Sequence, residues 1–221
     1  MPPWRHFFVL TMAKKIFLLL VLSLSVNSVF AQQEEDPEAA LRFREDQFYV
    51  GFAYTLGQSS ASDFEQNGFS YQLDLGFLRD YPLTDNSKWA IAPGVGISLQ
   101  RFISNLDFAR NGLLTYMGQD RNFNYGNLVF PLEFRWRNAT AESFSFWRVH
   151  LGATISVPLW ERNFDLVRAL PRANSSIYLA AGYNTWNIYI AYQLQPFLRV
   201  ADVNIKNAPS LINIGLRFYV L

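Results

Sequence analysis

The 221-residue chain contains no cysteine. That absence excludes a thiolate nucleophile, a cysteine-based zinc site and any disulfide framework. Histidine is scarce, with two in all, His6 and His150. Charge of one sign is lacking as well, because 19 Lys plus Arg stand against 18 Asp plus Glu. A nucleic-acid partner, which needs a basic excess, is therefore not expected. Outside the N-terminus no apolar run reaches the roughly 18 residues that a membrane helix requires. Internal repeats and low-complexity stretches are absent too. What the chain has is a hydrophobic share of 50% and an aromatic share of 17%, spread with a period of two.

The N-terminus carries its own signature. Lys14 and Lys15 form a basic region, Ile16 to Leu24 an apolar run, and Val29-Phe30-Ala31 a small-residue pattern of the cleavage-site kind. These features predict a secretory signal peptide over residues 1–31, removed before Gln32. Both Met1 and Met12 stay open as the start, since residues 1–11 add nothing to that signal. Removal takes away Arg5, Lys14 and Lys15, so 16 basic residues face 18 acidic ones and the net charge becomes −2. Residues 32–46, rich in Glu and Asp, predict a periplasmic leader, either a solvated tether or a docking segment for a periplasmic partner. Residues 47–221 remain for one domain.

Alternation is clearest at the C-terminus, where Ile212, Ile214, Leu216, Phe218 and Val220 interleave with Asn213, Gly215, Arg217 and Tyr219. A strand that is apolar on one side and polar on the other, placed last, is where outer-membrane barrels carry their closing strand. Seven further windows repeat it: 47–56, 69–77, 89–99, 127–137, 147–159, 177–183 and 186–195. The last two are joined by Asn184-Thr185, as short as a hairpin allows. Eight strands, each near the roughly 9–11 residues that cross a bilayer at a tilt, predict an eight-stranded antiparallel transmembrane up-and-down barrel. The connections alternate in length: 57–68, 100–126, 160–176 and 196–209 are long, whereas 78–88, 138–146 and 184–185 are shorter. Long loops then mark the outer rim, and both termini fall on the periplasmic side.

Tryptophan supplies a second line of argument, because amphipathic rings favour the headgroup level. Trp89, Trp136, Trp147 and Trp186 sit at strand ends on the short-turn side, predicting a periplasmic aromatic girdle, while Trp160 falls at the opposite rim.

An eight-stranded barrel is filled by its own side chains, so an open channel is not expected. Asp74, Glu133, Arg135, Arg137, Arg148, His150 and Arg217, together with Gln72 and Gln193, are predicted to share the lumen. Buried charges need partners, and both signs are present. The bland alternative is a structural salt-bridge network; the sharper one is a binding or proton-linked site at His150. With no second histidine after processing, no nucleophile elbow and no carboxylate pair at defined spacing, no enzyme, catalytic residue, metal site or cofactor is expected. The 100–126 loop mixes Arg101, Asp107, Arg110, Asp120 and Arg121 with Phe102, Phe108, Leu113, Leu114, Tyr116 and Phe123, and is expected to pack over the mouth or bind protein. Arg162, Arg168 and Arg172 suit lipopolysaccharide phosphates or a protein partner. Asn138-Ala-Thr140 and Asn174-Ser-Ser176 match the glycosylation pattern, a match frequent by chance.

Several segments carry a family resemblance: Phe43-Arg-Glu-Asp-Gln-Phe-Tyr-Val-Gly-Phe-Ala-Tyr-Thr-Leu56, Phe134-Arg-Trp-Arg137, Phe146-Trp-Arg-Val-His-Leu-Gly152, Gly182-Tyr-Asn-Thr-Trp-Asn187 and Ile214-Gly-Leu-Arg-Phe-Tyr-Val-Leu221. From about residue 43 onward the chain resembles PorT-type outer-membrane barrels of the Bacteroidota. The resemblance implies the fold, the bacterial outer membrane as compartment, and an accessory role in type IX protein secretion with secretion-system partners; it carries over no catalytic or ligand residues. The alternative expectation is a solitary small envelope barrel, for adhesion or membrane integrity, whose loops meet the environment or lipopolysaccharide. Small or polar residues on the outer wall favour a partner barrel, and a greasy wall favours a solitary one; Pro93 and Ala153 are the interruptions on that face.

Overall fold

A residue period of two obliges a segment to extend if one face is to be buried, and each window of alternation becomes a strand. The structure is a computed structural model and describes residues 46–108, 114–138, 147–162, 170–196, 198 and 208–220. Its strands are β1 (Gln47–Gln58), β2 (Tyr71–Leu78), β3 (Tyr81–Pro82), β4 (Trp89–Phe108), β5 (Leu114–Arg137), β6 (Trp147–Arg162), β7 (Asn174–Tyr183), β8 (Trp186–Gln193) and β9 (Ser210–Val220). The two-residue β3 continues the line of β2 along β4, pairing Tyr81 with Ile91. Eight full strands therefore make the sheet. Every pairing is antiparallel, and β2 pairs with both β1 and β4, so the sheet closes into a barrel. The last strand zips onto the first from Phe48–Val220 to Gln58–Ser210. That closure removes the edge that so apolar a terminal strand would otherwise expose. Between β7 and β8, Asn184 takes up the tight turn at φ 54°, a left-handed conformation that asparagine tolerates.

The 100–126 segment is not a loop. Here β4 and β5 run on together, pairing Phe102 with Phe123, Ser104 with Arg121 and Phe108 with Leu114, with a bulge between Ser104 and Leu106. Alternation fades there because the inward face turns apolar while the outward face carries Arg101, Asn122 and Asn124. Phe102, Leu106 and Phe123 are fully buried on the inward side. Along the strand's edge runs the connection between β1 and β2: Asn105 N donates to the Glu65 carbonyl, and Glu65 N donates back to Asn105 Oδ1. Smaller shifts occur at strand ends, with β2 opening at Tyr71 rather than Phe69 and β7 at Asn174 rather than Ile177. The expected signal peptide, the leader up to residue 45, and the loop residues Arg110, Leu113 and Arg168 lie outside the described residues.

Burial is inverted relative to a water-soluble domain. The side of each strand that faces into the barrel carries the polar groups, and the side facing out carries the large hydrophobes. Ile188 is 68% exposed, Leu151 58% and Leu75 56%, whereas Glu133 is 0% and Arg135 1%.

Candidate functional site

The seven titratable residues expected in the lumen are buried there, from Glu133 at 0% exposure to Asp74 at 6%, with Gln72 beside them at 9%. They cluster in the half of the barrel nearer the short turns, with Glu133 as the hub. Its Oε2 accepts a hydrogen bond from Arg135 Nε at 2.8 Å. Its Oε1 accepts from the hydroxyls of Tyr178 and Tyr219, each at 2.8 Å. His150 Nδ1 stands 3.4 Å from Oε2 and Arg217 Nη1 3.6 Å from Oε1.

Two further carboxylates extend the network. Asp80 receives Arg135 Nη1 at 3.0 Å and Arg137 Nη1 at 2.9 Å, so it clamps both guanidinium groups. Arg137 Nε also donates to the Ser87 carbonyl at 2.7 Å. Asp74 receives Arg217 Nη2 at 3.3 Å and both Gln72 amide contacts at 2.8 Å. The Arg217 guanidinium lies over three tyrosine rings, at 4.0 Å from the centroid of Tyr189, 4.6 Å from Tyr178 and 4.9 Å from Tyr49. Ring faces carry negative potential, so the cation gains attraction where water is excluded. Arg135 lies over Tyr219 at 5.6 Å, and His150 meets the same ring edge-on at 4.9 Å. Arg148 is buried at the same level, 3% exposed. Four arginines and three carboxylates thus fill this half as a plug.

Glycines make the plug geometrically feasible. Glu133, Gly152 and Tyr178 stand side by side on β5, β6 and β7. Tyr178 reaches Glu133 by lying across Gly152, and a Cβ at 152 would overlap the ring. Tyr49 likewise crosses Gly76 and Gly96, its neighbours on β2 and β4.

Toward the long-connection rim the interior is not filled, which corrects the expectation of a barrel packed throughout by its own side chains. A cavity with about 730 Å³ of empty volume, counting its open mouth, begins at Arg217, Asp74 and Tyr189 and ends near Leu170 and Pro171. Gln193 lines it, half-buried, away from the plug. Gln100 and Asn213 on its wall join Thr55 in a polar tier, with Thr55 Oγ1 donating to Asn213 Oδ1 at 2.7 Å and Gln100 Nε2 to Thr55 Oγ1 at 3.0 Å. Beyond lies an apolar cap of Phe102, Leu106, Phe123, Tyr125, Leu198 and Leu211, against which Phe64, Tyr116 and Leu170 pack. Of the two roles expected for 100–126, its described part takes the first, covering the mouth. Arg121 pairs with Asp107 across the hairpin at 2.8 Å.

The tryptophans gather at one rim. Trp89 pairs with Trp136, Trp147 with Tyr183, and Tyr183 with Trp186. Trp89, Trp147 and Trp186 are exposed and Trp136 is half-buried. Trp160 is exposed near the far end of β6. The wall interruptions also fall together, since Pro93 and Ala153 both flank Leu132 in register. Asn138 is exposed at the end of β5, whereas Asn174 and Ser176 are half-buried and line the cavity.

Asp80, Tyr178 and Tyr189 were not among the expected lumen residues, whereas the alternation sets Tyr49 beside Gly51 and Tyr219 beside Arg217 on the inward faces. Asp80 shares the parity of Asp74, Gly76 and Leu78, so continuing the alternation two residues past β2 would have found it. Tyrosine hides because its ring reads as apolar while its hydroxyl serves the buried carboxylate. The chain matches no family model and no curated protein.

Proposed function

We propose that the protein is a non-enzymatic outer-membrane β-barrel, with both termini on the periplasmic side, that serves as an accessory component of protein export. The observation that carries the membrane part is the inverted burial: an ionic plug inside a closed barrel whose outer wall is large hydrophobes. In water such a wall is a contiguous apolar surface far beyond what soluble monomers expose; against lipid tails it is matched. The tryptophan rim and Trp160 at the opposite end fit the same frame. From Trp147 to Trp160, thirteen steps of about 3.3 Å at a tilt of about 40° rise about 33 Å, near the girdle-to-girdle height of a bilayer.

The non-enzymatic part is supported by the place of His150, buried among arginines in the plug and 1% exposed, where no substrate reaches it. The export part rests on the resemblance to PorT-type barrels of the Bacteroidota and their type IX secretion role. Contact with other secretion proteins would then fall on the Pro93–Ala153 patch, the long-connection rim or the leader. A solitary envelope barrel is the second reading, favoured by the greasiness of the wall everywhere but that patch.

Comparing the surface and secreted proteomes of a deletion strain with its complemented parent separates the two. Loss of type IX cargo from the surface, restored by complementation, is the expected result. Unchanged export would overturn the secretion role and leave the solitary barrel.

A further inference from the structure

The cavity between plug and cap has no part in the membrane or export readings, and its chemistry differs from that of the plug. Counting its open mouth, it holds about 730 Å³ of empty space. The ions on its wall, Asp74 and Arg217, already pair with each other at 3.3 Å, so a charged ligand would bring an uncompensated charge into the barrel. Hydrogen-bonding capacity, by contrast, is unspent. Among the described residues, the side chains of Ser98, Asn127, Thr154, Ser156 and Gln193 line the cavity without a hydrogen-bond partner. Asn174 Oδ1 is buried beside them, equally unpartnered. An apolar ligand would strand these groups away from water, which is costly.

The complementary ligand is uncharged, dense in groups that both donate and accept, and small. Carboxamides offer a donor and an acceptor side by side, which suits neighbouring hydroxyls. We propose that this cavity binds a single saccharide unit. Two sources carry that chemistry, a free sugar and the glycan of a membrane glycolipid.

The test is saturation-transfer NMR on the full chain, purified in a detergent without a sugar headgroup, against glucose, galactose, mannose and N-acetylglucosamine. A second arm uses the delipidated core oligosaccharide of lipopolysaccharide. Transfer to a free sugar supports the proposal with a soluble ligand, and transfer to the oligosaccharide alone supports it with a glycolipid ligand. Asn127→Leu and Thr154→Val, which break no hydrogen bond to a described side chain, should each weaken binding about fivefold, the equivalent of one lost hydrogen bond. Far-UV circular dichroism checks that both variants keep the barrel. Absence of transfer in both arms, or transfer unchanged in both folded variants, would overturn the proposal and leave a water-filled space.

Discussion

Replacing Glu133 tests whether the plug is an electrostatic structure or merely filler. In Glu133→Gln the side chain keeps its shape, and its hydrogen bonds are largely recoverable. The amide oxygen can face Arg135 Nε, where Oε2 accepts at 2.8 Å, while the amide nitrogen faces the Tyr178 and Tyr219 hydroxyls, which rotate from donating to accepting. What cannot be recovered is the charge. Four buried arginines would then face two carboxylates, and breaking a buried ion pair by removing one partner costs about 3–5 kcal/mol. Glu133→Gln should sit near the lower figure, and Glu133→Leu, which also strands Arg135 Nε and both hydroxyls, near or above the higher one. The assay is equilibrium urea unfolding in detergent, followed by tryptophan fluorescence. With a slope of about 2 kcal/mol/M, the Gln variant's midpoint should fall by about 1.5 M. Adding Arg135→Met to Glu133→Gln should recover part of the loss, because it removes a cation deprived of its hub. Both single variants lying within about 1 kcal/mol of the parent, or Gln costing as much as Leu, would refute this account of the plug.

Three further outcomes follow from the same geometry. Gly152→Ala should destabilise by about 1–3 kcal/mol through overpacking against Tyr178, and Tyr178→Leu in the same chain should relieve part of it; additive losses in thermal unfolding would contradict the ring-over-glycine arrangement. Phe123→Ala, in the apolar cap, should cost about 3–5 kcal/mol and raise protease cleavage near the long-connection rim, whereas intact resistance would show that the cap does not hold that rim. Ile190→Lys on the wall should cost about 2–4 kcal/mol of folding stability in lipid vesicles; a change under about 0.5 kcal/mol would put that position in water.

Much of this architecture is legible in the residues, for a physical reason. In a closed barrel with unlike surroundings inside and out, each strand states its two faces, so β1, β6 and β9 announce themselves and Arg217 can be placed inward beside Asn213. The same logic places Glu133, Arg135 and His150 in the lumen. Legibility ends where the contrast ends. Past Arg101 the hairpin turns apolar inward and polar outward, with Asn122 and Asn124 half-buried on the outer side, so its strands read as loop. Asp80 sits beyond the last clear alternation, in a segment that resembles a turn because Pro82 and Asn86 lie close by. Tyr178 and Tyr189 carry both characters in one side chain, and their contact with Glu133 and Arg217 depends on Gly152 and on pairing between distant strands. The cavity is a property of how far the plug extends, which no single strand records.

The central claim is that the outer wall faces lipid, and the absence of cysteine makes it directly testable. Single cysteines placed at each position from Val149 to Val157, spin-labelled and measured in lipid vesicles, report oxygen against water-soluble nickel accessibility. The account predicts a period of two, with high oxygen accessibility at 149, 151, 153, 155 and 157 and low values for both probes at 150 and 152. High nickel accessibility at the outward positions, equal to that of a soluble surface strand, would contradict it.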